Sequence, residues 1–285
     1  MRYKAAMKLD LHCHTHHSDG TQSLDWVVER AEQNAVTHLA ITDHDFVTDL
    51  REIAKTANVE LISGVEISCF WSNTEIHVVG LFIDTANDDL GRLLEKQRAS
   101  RTARVRAMSE RLVDLGVPGL MDYLDTLPAE VYTRSHVANF VVQKGLSRTR
   151  QKAFKQYLGK GGKVYEPGNW CELDQAINAI QSAGGISVLA HPGRYPLNKR
   201  KLAELVEGFA SAKGDALEVR YPNIDPQMMA RLESLALNTG LLLSGGSDFH
   251  DPEAHWTDVG KFPAIRGEAA KRGVHHHARW SASVG

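Results

Sequence analysis

Residues 8–20 read KLDLHCHTHHSDG. Leu9 and Leu11 alternate with polar neighbours, the two-residue period of a strand, and the text then breaks into a Ser-Asp-Gly turn. We read 8–14 as a strand. Successive strand side chains point to opposite faces, so His12 and His14 share one side and Cys13 takes the other as a small core residue. Working outward, strand and helix alternate. Ser23 can cap a helix whose Leu24, Val27, Val28 and Ala31 share a face. Strands are expected at 38–42, 59–67 and 75–83, with a helix at 47–57. Further along come helix 173–183, stopped by Gly184-Gly185, strand 186–190, helix 199–212, strand 216–220, helix 225–239 and strand 241–244. About seven strands of βα type argue for a parallel-stranded α/β fold, either a barrel or an open sheet.

The stretch between these blocks differs. From Asp88 onward, Leu90, Leu93, Leu94, Arg101, Val105, Met108, Leu112 and Leu115 step at helical spacing, and Val117-Pro118-Gly119 ends the run. Its other face carries Arg92, Lys96, Arg98, Arg104, Arg106 and Arg111, read first as a solvated face and second as a wall of an anion-binding groove. No strand signal falls between 92 and 163, and Gly159-Lys160-Gly161-Gly162 closes the region. The expected organisation is therefore a first barrel part over 1–91, a helical insertion over 92–163, and a second barrel part over 164–285. The tail after about residue 260 is left unassigned.

The bulk numbers exclude several classes. With 285 residues, 42% of them hydrophobic and 24% charged, the chain has ample core and is not disordered. A net charge of −2 excludes a nucleic-acid binder that works by bulk positive charge. Cys13, Cys69 and Cys171 are odd in number and far apart, so a disulfide framework is not expected and a cytoplasmic location is. MRYKAAMKLDLHCH lacks the apolar core of a signal peptide, and no apolar run spans a membrane.

Histidine is the abnormal count, at 14. His12 and His14 end the first strand and Asp19 follows in its loop. Asp43-His44 ends the second, Glu66 the third, and His191 ends strand 186–190. Asp248 and His250 follow the last strand in SGGSDFH. His77 is the misfit, placed early in its strand. In a parallel barrel the C-terminal strand ends share one rim, so residues over two hundred positions apart converge there. Buried without ions, such a set would leave unpaired polar groups at a cost of roughly 1–3 kcal/mol each. Imidazole and carboxylate without thiolate suit Mn, Zn or Fe.

At these residues DLHCHTHHSDG, LAITDHD, SGVEIS, EIHVVGLFID, VYTRSHVANF and VLAHPGRY resemble the PHP (polymerase and histidinol phosphatase) family. The match runs from about residue 8 to 250, and is nearest a bacterial branch holding ribonuclease AM and 3′,5′-nucleoside bisphosphate phosphatases. The resemblance implies a distorted (β/α)7 barrel with an inserted small all-helical domain as a substrate-binding cap. It implies three divalent ions, Mn first. One would be held by His12, His14, Glu66 and Asp248. A second would share Glu66 and add His77 and His191, and a third would use Asp19, His44 and His250. Asp43 stands behind them. His16 and His17 receive no ligand role, and His275-His276-His277 is read as a surface or disordered tract.

The implied activity is metal-dependent hydrolysis of phosphate esters by a metal-bridged hydroxide. The implied substrates are short 5′-phosphorylated RNA, degraded 5′→3′, and 3′,5′-bisphosphonucleotides. Three divalent ions against three carboxylates and a hydroxide leave a small positive surplus, which a dianionic phosphate monoester would cancel. Arg194 and, in the insertion, Arg134, Ser135 and His136 are the candidate substrate contacts, with Arg220 and Tyr221 weaker ones. The competing readings are a histidinol-phosphatase-like phosphomonoesterase, an amidohydrolase acting on C–N bonds, and a non-catalytic PHP accessory module. Neither a membrane nor an obligate protein partner is implied.

Overall fold

The computed structural model describes residues 7–283. Residues 1–6, the start of the expected first barrel part and of the segment lacking a signal-peptide core, and 284–285, at the end of the second part, lie outside it. Seven strands run in the order β1 (Leu9–Asp10), β2 (His38–Ile41), β3 (Glu60–Trp71), β4 (Thr74–Leu81), β6 (Ile186–Leu189), β7 (Ala216–Arg220), β8 (Leu242–Gly245), and β5 (Cys171–Glu172) adds to β3. The sheet curls until its two ends almost meet. Leu11 N–H donates to Gly245 O at 3.3 Å, His14 N–H to Phe249 O at 3.0 Å, and Cys13 bridges Phe249. Leu11, Ala40, Ile62, Val79, Leu81, Ile186, Val188 and Ala216 form one of the buried apolar clusters.

The expectation of parallel strands fails at one place. β4 runs antiparallel to both β3 and β6. The cause is local: β3 and β4 are joined by only Ser72 and Asn73, both at positive φ (48° and 62°), the conformation of a tight hairpin turn. β3 also outruns its expected end, so Glu66 sits inside a twelve-residue strand. β1 pairs over only two residues, and the segment holding His12 and His14 lies against the seam rather than in a ladder. The helix expected at 47–57 is reduced to a 3-10 turn, Ile53–Lys55. Its first residues are claimed elsewhere: Thr48 Oγ1 donates to Asp43, and Asp49 accepts the Arg51 N–H.

After α1 (Leu24–Gln33), helix α2 (Asp88–Asp114) crosses the expected boundary at 92 without a break. Its Leu90 and Leu94 pack with Ile177, Ile180 and the barrel strands. Its Val105, Met108 and Leu112 pack with Phe140, Val141 and Leu158 in a separate apolar cluster. That second cluster is built by α3 (Leu120–Leu124), α4 (Arg134–Gln143), α5 (Arg150–Ala153) and a π-helical turn at Phe154–Leu158. Residues 92–163 hold no strand. Beyond residue 260 the chain forms 3-10 turns and a final helix, Ala278–Ser283, instead of another strand and helix of the barrel. Trp280 is buried against Phe82 and His38. The triple-histidine tract is ordered, not loose: His277 pairs with Asp215 at 3.2 Å. The three cysteines are free and buried, although β3–β5 pairing sets Cys69 opposite Cys171. Among the described residues no helix is long and apolar enough to cross a membrane.

Candidate metal centre

The antiparallel course of β4 resolves the misfit of His77. An early position in an antiparallel strand lies at the rim where its parallel neighbours end, so His77 meets the other groups. All nine predicted ligands converge, and Glu66 is their hub, with no solvent exposure. Its Oε1 lies 3.3 Å from His12 Nε2, 2.9 Å from His77 Nδ1 and 3.0 Å from His191 Nε2. Its Oε2 lies 3.2 Å from His14 Nε2 and 2.9 Å from His44 Nδ1. Asp248 Oδ1 sits 3.4 and 3.3 Å from the Nε2 atoms of His12 and His14. Asp19 Oδ1 sits 3.6 Å from His44 Nε2 and 3.3 Å from His250 Nε2. Three overlapping groups thus have metal-holding geometry: His12, His14, Glu66; His44, Glu66, His77; and His14, Asp19, His44, His250. His44 faces two of the groups, one ring nitrogen to each.

These residues fit cations better than they fit each other. His12 Nε2, His14 Nε2, His44 Nδ1, His191 Nδ1, Asp19 Oδ1 and Glu66 Oε2 are buried without a hydrogen-bond partner. Burial alone would neutralise the carboxylates, but the surrounding imidazoles, and for Asp248 the Arg194 guanidinium first, outweigh it and hold Glu66, Asp19 and Asp248 well below the usual carboxylate range. Burial likewise disfavours charge on His14, yet its donation to the Asp248 and Glu66 carboxylates raises it to about 10. For His44 burial wins and takes it down to about 4. The cluster therefore draws in protons where divalent ions and neutral imidazoles would balance the same charge. Two of its members sit at positive φ, His191 at 28° and Asp248 at 45°, backbone strain of the kind stored at functional sites.

The supporting groups were less visible in the sequence. Glu218, in β7, accepts from His12 Nδ1 at 3.2 Å through Oε1 and from the His191 N–H at 2.6 Å through Oε2. An acid inside the wholly buried strand ALEVR was its signal. Thr133 caps α4 and donates to Asp19 Oδ2 at 3.0 Å. Tyr195 OH accepts the His77 N–H and donates to Ala190 O, both at 2.9 Å. Asp43 is not among the metal-holding groups: it gathers Thr15, Ser18 and Thr48 hydroxyls at 2.6–2.7 Å and so holds the loop that carries Asp19.

The candidate substrate residues separate. Arg134 lines a cavity of about 220 Å³ over the cluster, together with Arg101 and Arg104, and Ser135 lines both this cavity and the adjoining groove. Arg194 lies instead in that groove, of about 970 Å³, its guanidinium on Asp248 and 5.1 Å over the Tyr221 ring. His136 lines neither. Its Nδ1 accepts the Thr133 N–H as part of the α4 capping box, and its ring bonds the Ser18 backbone. It positions the Asp19 loop rather than facing substrate. Arg220 turns away to Val219 O and Glu233, because a register shift between Glu218 and Arg220 breaks the strand alternation. Of the basic face of α2, Arg92, Lys96, Arg106 and Arg111 are exposed as expected, but Arg104 is buried. Arg104 lies 5.4 Å over Trp170, with one nitrogen unpartnered. Arg101 is also buried, bound to Asp45 at 2.7 Å.

Residues 10–166 match the PHP domain. The chain belongs to the PHP domain family. Within that family it is 41% identical over 262 residues to the 5′-3′ exoribonuclease Rnm of Salmonella typhimurium, a match covering 90% of this chain and 89% of that one. It is 35% identical over 259 residues to the 3′,5′-nucleoside bisphosphate phosphatase of Chromobacterium violaceum, covering 88% and 90%. The chain's fold is also similar to that of a solved amidohydrolase from Chromobacterium violaceum with bound sulfate and no metal. There the TM-score is 0.84 at 34% identity, over 91% of this chain and 92% of that one.

Proposed function

We propose that this chain is a metal-dependent phosphoesterase that cleaves the P–O3′ bond of 5′-phosphorylated RNA from its 5′ end and of 3′,5′-bisphosphonucleotides. The observation that carries it is a carboxylate–imidazole cluster with unpartnered ligand atoms, directly faced by the buried or half-buried guanidiniums of Arg101, Arg104 and Arg134. We assign the nine rim residues as ligands of three divalent ions, manganese first. Zinc and iron suit the same donors, and metal analysis of the purified protein decides among them. When bound, such ions supply Lewis acidity and an activated water.

The chain's own residues do the rest. Glu218 keeps the proton of His12 on Nδ1, leaving Nε2 free to ligate. Thr133 and His136 tie the Asp19 loop to α4, so residues 92–163 act as a cap that helps shape the site. Arg134, backed by Arg104, receives the 5′-phosphate, and Arg194 lies beside the scissile group next to Asp248. Water oxygen bonds phosphorus, the P–O3′ bond breaks, and O3′ leaves with a proton. The same bond is cut whether the phosphate's remaining substituent is a proton or the rest of an RNA chain, which unites the two substrate classes. Free buried thiols fit a reducing cytoplasm.

An amidohydrolase needs no such array of guanidiniums, and a histidinol-phosphatase-like enzyme needs no cap. A manganese-supplemented panel tests the proposal: 5′-phosphorylated and 5′-hydroxyl oligoribonucleotides, adenosine 3′,5′-bisphosphate and histidinol phosphate. Turnover of the first and third, lost with chelator, is expected. Exclusive turnover of histidinol phosphate, or none with any metal, overturns it.

A further inference from the structure

The groove beside the metal centre is larger than a mononucleotide requires, and aromatic side chains recur along its walls. Phe154 stands at the junction, lining both the small cavity and the groove. Tyr221, under the Arg194 guanidinium, and Trp256 line the groove as well. Trp256 is 67% exposed, the highest value among the exposed large hydrophobic residues described. It joins none of the apolar clusters. Its position is nevertheless defined: Thr257 N–H donates to Ala254 O at 3.0 Å, and Thr257 Oγ1 to Ser247 O at 3.1 Å, one residue before Asp248. An indole held in water on a hydrogen-bonded loop, with no core to fill, is available for a planar ligand.

Two of the groove's four acids are offset by its two arginines, and stacking on an aromatic face does not depend on the net charge. Asp248 is paired with Arg194 and Asp251 faces Arg150 at 3.5 Å, while the two exposed acids are Asp225, which caps the helix Pro226–Thr239, and Glu253. Aromatic faces interleaved with guanidiniums along one groove are how single strands are held without base readout.

We propose that Trp256 is a stacking platform for a downstream base of single-stranded RNA whose 5′ end occupies the metal centre. It thereby selects oligonucleotides over mononucleotides. This rests on the nucleotide phosphoesterase reading above. With its 3′-phosphate at the cluster and its 5′-phosphate toward Arg134, a bisphosphonucleotide would meet the groove only at its Asp248–Arg194 end. A longer chain must leave through it.

The test compares wild type, Trp256→Ala and Trp256→Phe on a 5′-phosphorylated pentaribonucleotide and on adenosine 3′,5′-bisphosphate. Trp256→Ala should lower kcat/KM for the pentanucleotide by about 5- to 150-fold, the worth of one stacked base, and leave the bisphosphate unchanged. Trp256→Phe should restore most of the loss. Equal activity of Trp256→Ala and wild type on RNA overturns the proposal, as do equal losses on both substrates. A second arm needs no turnover. In excess chelator the pentanucleotide should quench wild-type tryptophan fluorescence and fail to quench that of Trp256→Ala. If the wild type hydrolyses neither substrate, the phosphoesterase reading falls, while the quenching arm still decides the stacking.

Discussion

Replacing Glu218 by Gln keeps the volume of the side chain and removes one acceptor. In the native site Oε1 takes the His12 Nδ1 proton and Oε2 takes the His191 N–H. A carboxamide has one oxygen for two donors. If that oxygen stays with His191, the amide NH2 faces His12 Nδ1 and forces the proton onto Nε2, the atom 3.3 Å from Glu66 that is assigned to the metal. If it stays with His12, the His191 N–H is buried opposite another donor, at a cost of roughly 1–3 kcal/mol, beside a residue already strained at φ 28°. Either orientation weakens one ligand. Loss of such an outer partner is worth about 10- to 100-fold in metal affinity, or about 1.4–2.7 kcal/mol. Calorimetric titration of apo-protein with Mn(II) should show this weakening, and the loss should shrink in a His12→Ala background because the tautomer no longer matters. Native-like folding of Glu218→Gln with wild-type manganese affinity would refute the reasoning.

Other consequences are accessible to simple measurements. Asp248→Asn removes the carboxylate shared by His12 and His14, so bound metal per chain should fall with activity; full metal content and full turnover would remove Asp248 from the ligand set. Arg104→Met keeps the contact with Trp170 but deletes the unpartnered nitrogen over the cavity, and the preference for 5′-phosphate over 5′-hydroxyl RNA should drop about tenfold, a charge-assisted bond's worth. Phe140→Ala opens the second apolar cluster and should cost about 3–5 kcal/mol in denaturant unfolding, seen as a lower midpoint or a separate early transition of the insertion. Burial raises the Asp258 carboxyl, but Arg30 and Lys261 outweigh it and bring it to about 2. The pairing with Arg30 therefore stabilises above the unfolded value of about 4 and is lost as pH falls toward 2. After discounting for solvent screening it contributes about 1 kcal/mol. That increment of acid sensitivity should vanish in Asp258→Asn.

What was legible in the sequence follows from which contacts are local. His12 and His14 are two residues apart on one extended segment, and His44, His191 and Asp248 each sit where a recognisable apolar run stops. Those positions need only the strand period and the rule that parallel strands end at one rim. Glu218 and Arg101 are of another kind. Glu218 belongs to a five-residue run buried at every position, so no alternation marks its face. Arg101 steps with the apolar positions of α2 because it is buried. Yet its partner Asp45 lies on a distant loop, and no spacing rule joins them.

His77 shows the same limit most sharply. Its strand is plain in the sequence, but its direction depends on two residues, Ser72 and Asn73. Ser-Asn is a far weaker turn signal than Asn-Gly, so βα alternation suggested a parallel strand and left His77 at the wrong end. Reversing that one strand moves the imidazole to the rim without changing any residue. The composition of the metal centre is thus a property of strand direction as much as of ligand identity. Lengthening the 72–73 turn with flexible residues should accordingly cost metal at the Glu66–His77 pair before it costs the fold.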